Sequence, residues 1–514
     1  MISRWNQPAG GCSKRGGNES DGHSSQRGRQ SQSANVVKCR EAPVGWSFST
    51  LLPLGTVILS PCFTHLVPLP ASAASSPIRV GIIGMGTVGT GVARVLTEHP
   101  DRLARRAGRP LELRRAVVRD LTKPRGIDLP AGVVTNDVAA VVNDPDIDLA
   151  VHLVGGVHPA REIMLDLLNA GKDVVTANKA LLCACGEELF TRARELGRTI
   201  AFEAAVAGGI PIIATVAQSL AANQVTSISA ILNGTSNYIL TQMARENWDY
   251  AQALHQAQQL GFAEADPTLD VDGSDAAQKL ILLTWLAFGV RARLEDVHRQ
   301  GIDRLDLSDL RFAEELGYTV KLLAVARLVN QQIELHVQPT LVRRETPLAQ
   351  IHGPFNAVGL VGDIVGETWY SGPGAGQMPT ASAVVADLID TVAGRTRINF
   401  ERLEVWRSPP PFSLQPREKI ETRFYLRFQV LDRPRVLADI ADILGRNQIS
   451  IASVIQHEPP ESSPESPSGT SAATTVPLVI MTHRSTEGQL RAAEAELARL
   501  TAITPPHIRM PVAR

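Results

Sequence analysis

Ile78-Arg79-Val80-Gly81-Ile82-Ile83, running into Gly84-Met85-Gly86-Thr87-Val88-Gly89, is the stretch that decides the fold. Mostly apolar residues without polar alternation predict a strand buried on both faces, as in a parallel sheet. The G-x-G-x-x-G after it opens a helical stretch, Val88–Glu98. Such glycines allow a tight turn and close approach of backbone to a pyrophosphate, and the helix start adds free N–H groups and a positive dipole end. Gly84, Gly86, Thr87, Val88 and Gly89 are therefore candidate dinucleotide contacts. The pattern alone is weak, and its place between strand and helix gives it weight.

Downstream, Leu111–Val118, Asp148–Val154, 173–177 and 199–206 read as strands, with helices at 159–170 and 180–195. Strands alternating with helices of this length predict a doubly wound, Rossmann-type α/β domain over residues 78–210. Arg119 and Asp120 end its second strand. Arg119 favours a 2′-phosphate and so NADP(H), with Lys123 in support; Asp120 leaves NAD(H) open. A solvated charge run is the alternative reading.

Residues 211–372 mix helices with β-like runs such as Ile333–Val337 and Ala357–Val365, predicting an α+β domain. Residues 373–413 read as a return segment and linker, Pro-rich from Ser408. Within 414–514, Thr422–Val430, Val436–Arg446, Ile449–Gln456, Thr475–Thr482 and Thr486–Leu500 run in a βαββα order. That predicts a small ferredoxin-like module with a Pro/Ser-rich insertion at 458–474.

The 514 residues carry 51 Lys+Arg against 52 Asp+Glu. The length suits about three domains, and the near-zero charge argues against a nucleic-acid binder. No run of about 18 uncharged apolar residues suggests a membrane helix. Lys is scarce, with eight in the chain. Arg stays protonated whereas Lys can exchange a proton, so each Lys invites a functional question.

Residues 1–77 are basic, with seven Lys/Arg against three Asp/Glu. Their Gly/Ser/Gln/Arg-rich first part predicts disorder. An apolar stretch, Leu51–Pro70, then ends at Ala71-Ser72-Ala73. A transit segment and a misassigned start rank equally here, with a secretory signal last; the body is expected in the cytoplasm, or in a plastid if the leader is a transit peptide. The cysteine spacings, including Cys183 and Cys185, suggest neither a disulfide framework nor a zinc site.

Four further segments carry chemistry. Val174-Val175-Thr176-Ala177-Asn178-Lys179 sets a Lys just past a parallel strand's carboxyl end, where ligands bind. Phe202-Glu203-Ala204-Ala205-Val206-Ala207-Gly208-Gly209-Ile210-Pro211 breaks from a strand into a glycine corner. Leu232-Asn233-Gly234-Thr235-Ser236-Asn237-Tyr238 is the third. Gly261-Phe262-Ala263-Glu264-Ala265-Asp266-Pro267 then leads to Asp270, Asp272, Ser274, Asp275 and Lys279. Asp275 and Lys279 stand at i and i+4 on a helix capped near Ser274, so they share a face. From spacing alone that pair reads as a surface ion pair, and Asp270 and Asp272 as turn residues or site residues equally.

Together these segments resemble homoserine dehydrogenase, from about Ile78 to Gly394, and the C-terminal module resembles an ACT domain. Without room for a fused aspartate kinase, the chain resembles the monofunctional form. The resemblance implies NAD(P)-dependent interconversion of L-homoserine and L-aspartate 4-semialdehyde, on the path to threonine and methionine. It implies Lys279 as general acid/base, Glu264 and Asp275 on the substrate, Lys179 between nicotinamide and substrate, and Gly261 at the cofactor. The glycine corner resembles the family's Na⁺ site, with Glu203, Val206, Gly208 and Ile210 as ligands through backbone carbonyls and one carboxylate; a purely structural corner is the alternative. A homodimer or higher oligomer through the second domain is implied, with threonine as a ligand of the ACT domain. A catalytically silent amino-acid sensor is the competing class.

Three residues depart from the family pattern. His152 stands where a Glu is usual and reads as an interior histidine rather than a neighbour of the nicotinamide. Cys185 stands where a His is common. Arg435 replaces the glycine at which an ACT domain approaches its ligand, which weakens the expectation of threonine inhibition.

Overall fold

The structure, a computed structural model, describes residues 76–457 and 475–513. The expected disordered leader, with Cys12, Cys39 and Cys62, lies outside the described residues apart from its last two positions. So does the insertion at 458–474.

Six strands form one all-parallel sheet: Ile78–Ile83 (β1), Leu111–Val117 (β2), Val134–Thr135 (β3), Leu149–His152 (β4), Asp173–Thr176 (β5) and Ile200–Ala201 (β6). Their order is β3-β2-β1-β4-β5-β6, the doubly wound arrangement whose switch point lies between β1 and β4. All of β1 except Arg79 is buried, which is why its sequence lacks alternation. β3 is too short to carry a readable pattern. β6 is shorter than the expected 199–206 strand: after Ala201 the chain turns into a 3₁₀ segment, Glu203–Ala205. There the Glu203 N–H is taken by Asp387 Oδ2 at 2.9 Å rather than by a neighbouring strand.

A second, mostly antiparallel sheet runs Gly366–Pro373, Phe355–Gly362, Val225–Ile231, Tyr318–Val329, Gln332–Arg343, Ile503–Val512, Glu421–Leu431, Thr475–Thr482, Ile451–Gln456. Its last four strands, with helices Val436–Arg446 and Glu487–Leu497, make a βαββαβ ferredoxin-like unit. The expected βαββα order lacks the final strand, Ile503–Val512, whose Pro505, Pro506 and Pro511 are unfavourable in a strand. A register shift between Arg427 and Gln429 lets Ile503–Val512 pair around the first two prolines. The two halves of this sheet join where Leu341 meets Val512.

Two packed helices carry the charged residues of the site. Lys179–Glu195 packs on Ser274–Phe288, with the Phe190 and Trp285 ring centroids 5.2 Å apart. A Cβ on Gly186 would come within 2.9 Å of the Trp285 ring, so glycine permits this close approach. The helix Gln377–Val392 lies on the opposite face of the parallel sheet, against Gly91 of the helix Thr87–Glu98.

Candidate active site

At the nucleotide turn the three glycines differ in duty. Gly84 has φ +101°, and an added Cβ would meet the Leu153 carbonyl at 2.7 Å. Gly89 has its Cβ position 2.2 Å from the Gly84 carbonyl, so it lets the helix start pack on the turn. Gly86 occupies the N-cap position without a side chain to cap the helix, and has nothing within 4 Å of an added Cβ. Gly86 and Thr87 are exposed, Val88 half-buried, and no acidic residue occupies the helix's first turn. An open glycine at an uncapped, acid-free helix start fits a pyrophosphate.

Arg119 and Asp120 are both exposed beyond β2. Asp120 accepts from the Thr122 N–H and Oγ1 at 2.8 and 2.7 Å, and these bonds pull its carboxyl below the usual value. Asp120 is thus engaged within its own turn, while the Arg119 guanidinium has no hydrogen bond or ion pair among the described residues.

At the ends of β4 and β5, Asn178 donates to the carbonyls of Val154 and Gly156, each at 2.7 Å, and accepts the Leu181 N–H. It thereby caps the helix that begins at Lys179. A cation in the first turn opposes the helix dipole, and Lys179 is compensated by Asp275, with Nζ 3.3 Å from Oδ1. The other oxygen, Oδ2, accepts from Lys279 Nζ at 2.7 Å. Lys279 also donates to the Leu232 carbonyl at 2.7 Å.

The helix Ser274–Phe288 is apolar on nearly all sides, so Asp275 and Lys279 are largely buried rather than a surface pair. Burial by itself would raise the Asp275 carboxyl. The charges of Lys279 and Lys179, with hydrogen bonds from Lys279 and Asn233, outweigh it and hold the group at about 2. The cap position, next to Ser274, is Gly273 with φ +83°, and Asp272 accepts the Ser274 N–H and hydroxyl.

The sequence motifs contain Asn233 but assign it no role. Its Nδ2 donates to Asp270 Oδ1 at 2.7 Å and Asp275 Oδ2 at 2.9 Å, tying Asp270 into the cluster. Burial, reinforced by the Asp275 charge, raises the Asp270 carboxyl despite that bond. Glu264 is not brought in. It lies in the exposed 261–266 turn, and its carboxylate makes no hydrogen bond or ion pair among the described residues. Gly261 is exposed in the same turn with φ +74°. Spacing to Asp275 places Glu264 on the same chain segment but says nothing about which way the turn faces.

At the glycine corner the Glu203 carboxylate accepts from the N–H groups of Ile213 and Ala214 at 2.9 and 2.8 Å. Burial raises this carboxyl to about 7. The side chain expected to face a cation instead closes the start of the next helical turn. The corner is built by two residues in succession with positive φ, Ala207 at 54° and Gly208 at 40°. The Val206 and Gly208 carbonyls accept no backbone hydrogen bond among the described residues. A second glycine turn, Gly372-Pro373-Gly374-Ala375-Gly376, is missing from the sequence-based expectations although it carries the same signal as the first, glycines opening a helix. It packs on this corner, with Gly374 O 2.6 Å from a Cβ on Gly208, and Gln377 just beyond it donates to the Thr87 carbonyl at 3.1 Å.

His152 is interior, at the end of β4. Burial lowers it to about 4; Nδ1 lies 3.5 Å from Thr176 Oγ1, while Nε2 has no partner among the described residues. Cys185 and Cys183 are half-buried free thiols.

Family models match the chain in three places: homoserine dehydrogenase over residues 211–389, the homoserine dehydrogenase NAD-binding domain over 84–203, and an ACT domain over 424–501. A homoserine dehydrogenase of Pseudomonas aeruginosa is 41% identical, the match covering 85% of this chain and 99% of the relative. The chain belongs to the homoserine dehydrogenase family. It is an oxidoreductase acting on a CH–OH group, with NAD-binding, catalytic and ACT domains. The Bacillus subtilis homoserine dehydrogenase is also 41% identical, over 74% of this chain and 87% of its own. Among solved structures, a Thiobacillus denitrificans homoserine dehydrogenase is 41% identical with a TM-score of 0.77, covering 85% of this chain and 98% of that one. A hyperthermophilic archaeal homoserine dehydrogenase in complex with NADPH is 27% identical with a TM-score of 0.53, covering 61% and 97%. None of these likenesses supports a catalytically silent sensor. No helix among the described residues is long and apolar enough to cross a membrane.

Proposed function

We propose that this homoserine dehydrogenase interconverts L-homoserine and L-aspartate 4-semialdehyde with NADP(H), using Lys279 as the proton donor and acceptor. The observation that carries the reading is the Asp275 carboxylate held between Lys179 and Lys279. The bound dinucleotide supplies or takes the hydride. Gly84, Gly86, Thr87, Val88 and Gly89 receive its pyrophosphate, and the free guanidinium of Arg119 favours a 2′-phosphate. Lys179 lies on the nicotinamide side, and Gly261 lines the cofactor cleft.

In the reducing direction, Lys279 Nζ gives a proton to the developing alkoxide oxygen; in the oxidising direction it receives the hydroxyl proton. Asp275 and the Leu232 carbonyl orient that ammonium, and Asp275 binds the substrate's polar end. Glu264 serves the substrate ammonium only if the exposed 261–266 turn folds inward over it. A monovalent cation at the glycine corner would rest on carbonyls of Val206, Gly208 and Ile210, hard oxygen donors suited to Na⁺; the Glu203 carboxylate is already committed, leaving that residue's carbonyl. The enzyme assembles as a homodimer or higher oligomer through its second domain, and its bacterial relatives support a cytoplasmic setting. Threonine is the ACT ligand to test, with Arg435 at the expected contact.

The test is spectrophotometric: protein lacking residues 1–77, homoserine and NADP⁺, with absorbance of the reduced cofactor as the readout. Turnover that disappears in Lys279→Ala supports the reading. No turnover in the parent, or full turnover in Lys279→Ala, overturns it.

A further inference from the structure

The Leu232 carbonyl has two donors. Lys279 Nζ lies at 2.7 Å and Asn356 Nδ2 at 3.1 Å. Asn356 is the second residue of the strand Phe355–Gly362, next to the Ala357 that pairs with Ile231, and is 1% exposed. Its Oδ1 has no hydrogen-bond partner, one of few buried side-chain atoms so left among the described residues. An uncompensated buried acceptor is costly and asks for a reason. Turning the amide over would satisfy nothing at Leu232, since it would set Oδ1 against the carbonyl oxygen. The orphaned oxygen is therefore the consequence of presenting the donor.

The amide is also held in place. An added Cβ on Gly374 would fall 2.0 Å from Asn356 Cγ, so the side chain lies flat against that glycine; Gly234 closes from another side, its Cβ position 3.6 Å from Oδ1. The chain keeps two glycines and an unsatisfied oxygen around one N–H···O bond, and that bond ends on the carbonyl holding Lys279.

We propose that Asn356 is a positioning residue for proton transfer, fixing the Leu232 carbonyl so that it aims the Lys279 ammonium. The inference rests on the assignment of Lys279 as proton donor. The groups that face Lys279 are Asp275, with Lys179 beyond it, and Asp270 across Asn233. Freed from Asn356, the carbonyl can turn away and no longer favours the ammonium. A carboxylate at 356 would free the carbonyl as well, but its negative charge would favour the ammonium.

The experiment compares Asn356→Ala, Asn356→Asp and the milder Asn356→Ser with the parent and Lys279→Ala, reading kcat, both KM values and the pH dependence of kcat. In Asn356→Ala, kcat should fall about tenfold or more with both KM values within about twofold, as expected for a misaimed group. The pH of half-maximal kcat should move down in Asn356→Ala and up in Asn356→Asp, each by about half a unit. Asn356→Ser, with a hydroxyl donor, should recover part of kcat. A merely structural residue would lower thermal stability while leaving the pH profile in place, or shift all variants alike; either result overturns the proposal. If Lys279→Ala stays active, the reading of the site fails. If Lys279→Ala is inactive and the Asn356 variants keep parental kcat and profile, the positioning role alone fails.

Discussion

Lys279 reaches Asp275 across one helical turn, at 2.7 Å, and the pair is almost wholly buried. Exposed i,i+4 pairs contribute only tenths of a kcal/mol. A buried one is different, because removing one partner strands the other's charge. Here the carboxylate is shared with Lys179, so two cations depend on it.

Asp275→Asn should therefore lower kcat by about 10²-fold or more, measured at saturating homoserine. It should also change acid stability. The folded carboxyl lies near 2, below its ordinary 3.8, so its contribution is complete above the unfolded value and is lost as pH falls toward 2. Urea unfolding at pH 7 and at pH 3 should show a stability difference that shrinks in the variant.

The nucleotide-turn glycines separate folding from binding. Gly89→Ala drives a methyl against the Gly84 carbonyl and should cost about 1–3 kcal/mol. Gly86→Ala meets nothing and should keep its melting temperature while raising the cofactor KM. Melting curves and KM measurements on the two variants check the division.

Arg119→Ala should raise the KM for NADPH by about tenfold, the scale of one lost charge-assisted contact. The KM for NADH should stay within about twofold of the parent. Equal effects on both cofactors would remove Arg119 from the 2′-phosphate.

Lys321 is 1% exposed and donates to Asn237 Oδ1 and to the Ile351 carbonyl, with no carboxylate partner among the described residues. Burial lowers it from 10.5 to about 8. The unfolded chain then holds more protons between these values, so this group makes stability rise with pH across that window. The rise, of order 1–3 kcal/mol, should be absent in Lys321→Met. Denaturant melts at pH 7.5 and 10 supply the comparison.

Arg435 takes the left-handed conformation, φ +79°, just ahead of the helix Val436–Arg446. A residue with a Cβ held in that conformation costs about 1 kcal/mol or more. Threonine should inhibit the parent less than about twofold and bind Arg435→Gly measurably more tightly by calorimetry, since the glycine removes a bulky side chain from the turn.

Much of the architecture was legible in short patterns. The unalternating β1, the glycine turn and the strand–helix alternation arise from hydrogen bonding and burial among near neighbours. The final strand was not legible, because its first two prolines are accommodated only where its pairing with Glu421–Leu431 shifts register. Glu264 shows the same limit at the site: its motif marks the segment, and the turn leaves its carboxylate in solvent.

The dinucleotide turn, the i,i+4 placement of Asp275 and Lys279, and the presence of Lys179 at a strand's carboxyl end can all be read from the amino-acid order. Each depends on residues a few positions apart, where helix and strand periodicity fix direction. That Lys179 and Lys279 share one carboxylate, that Asn233 joins Asp270 to Asp275, and that Asn356 reaches the Leu232 carbonyl emerges from the folded chain alone. Those contacts come from packing one helix on another through Gly186 and from laying Asn356 on Gly374. Close packing between distant segments depends on shape, and shape is settled only when the chain has folded.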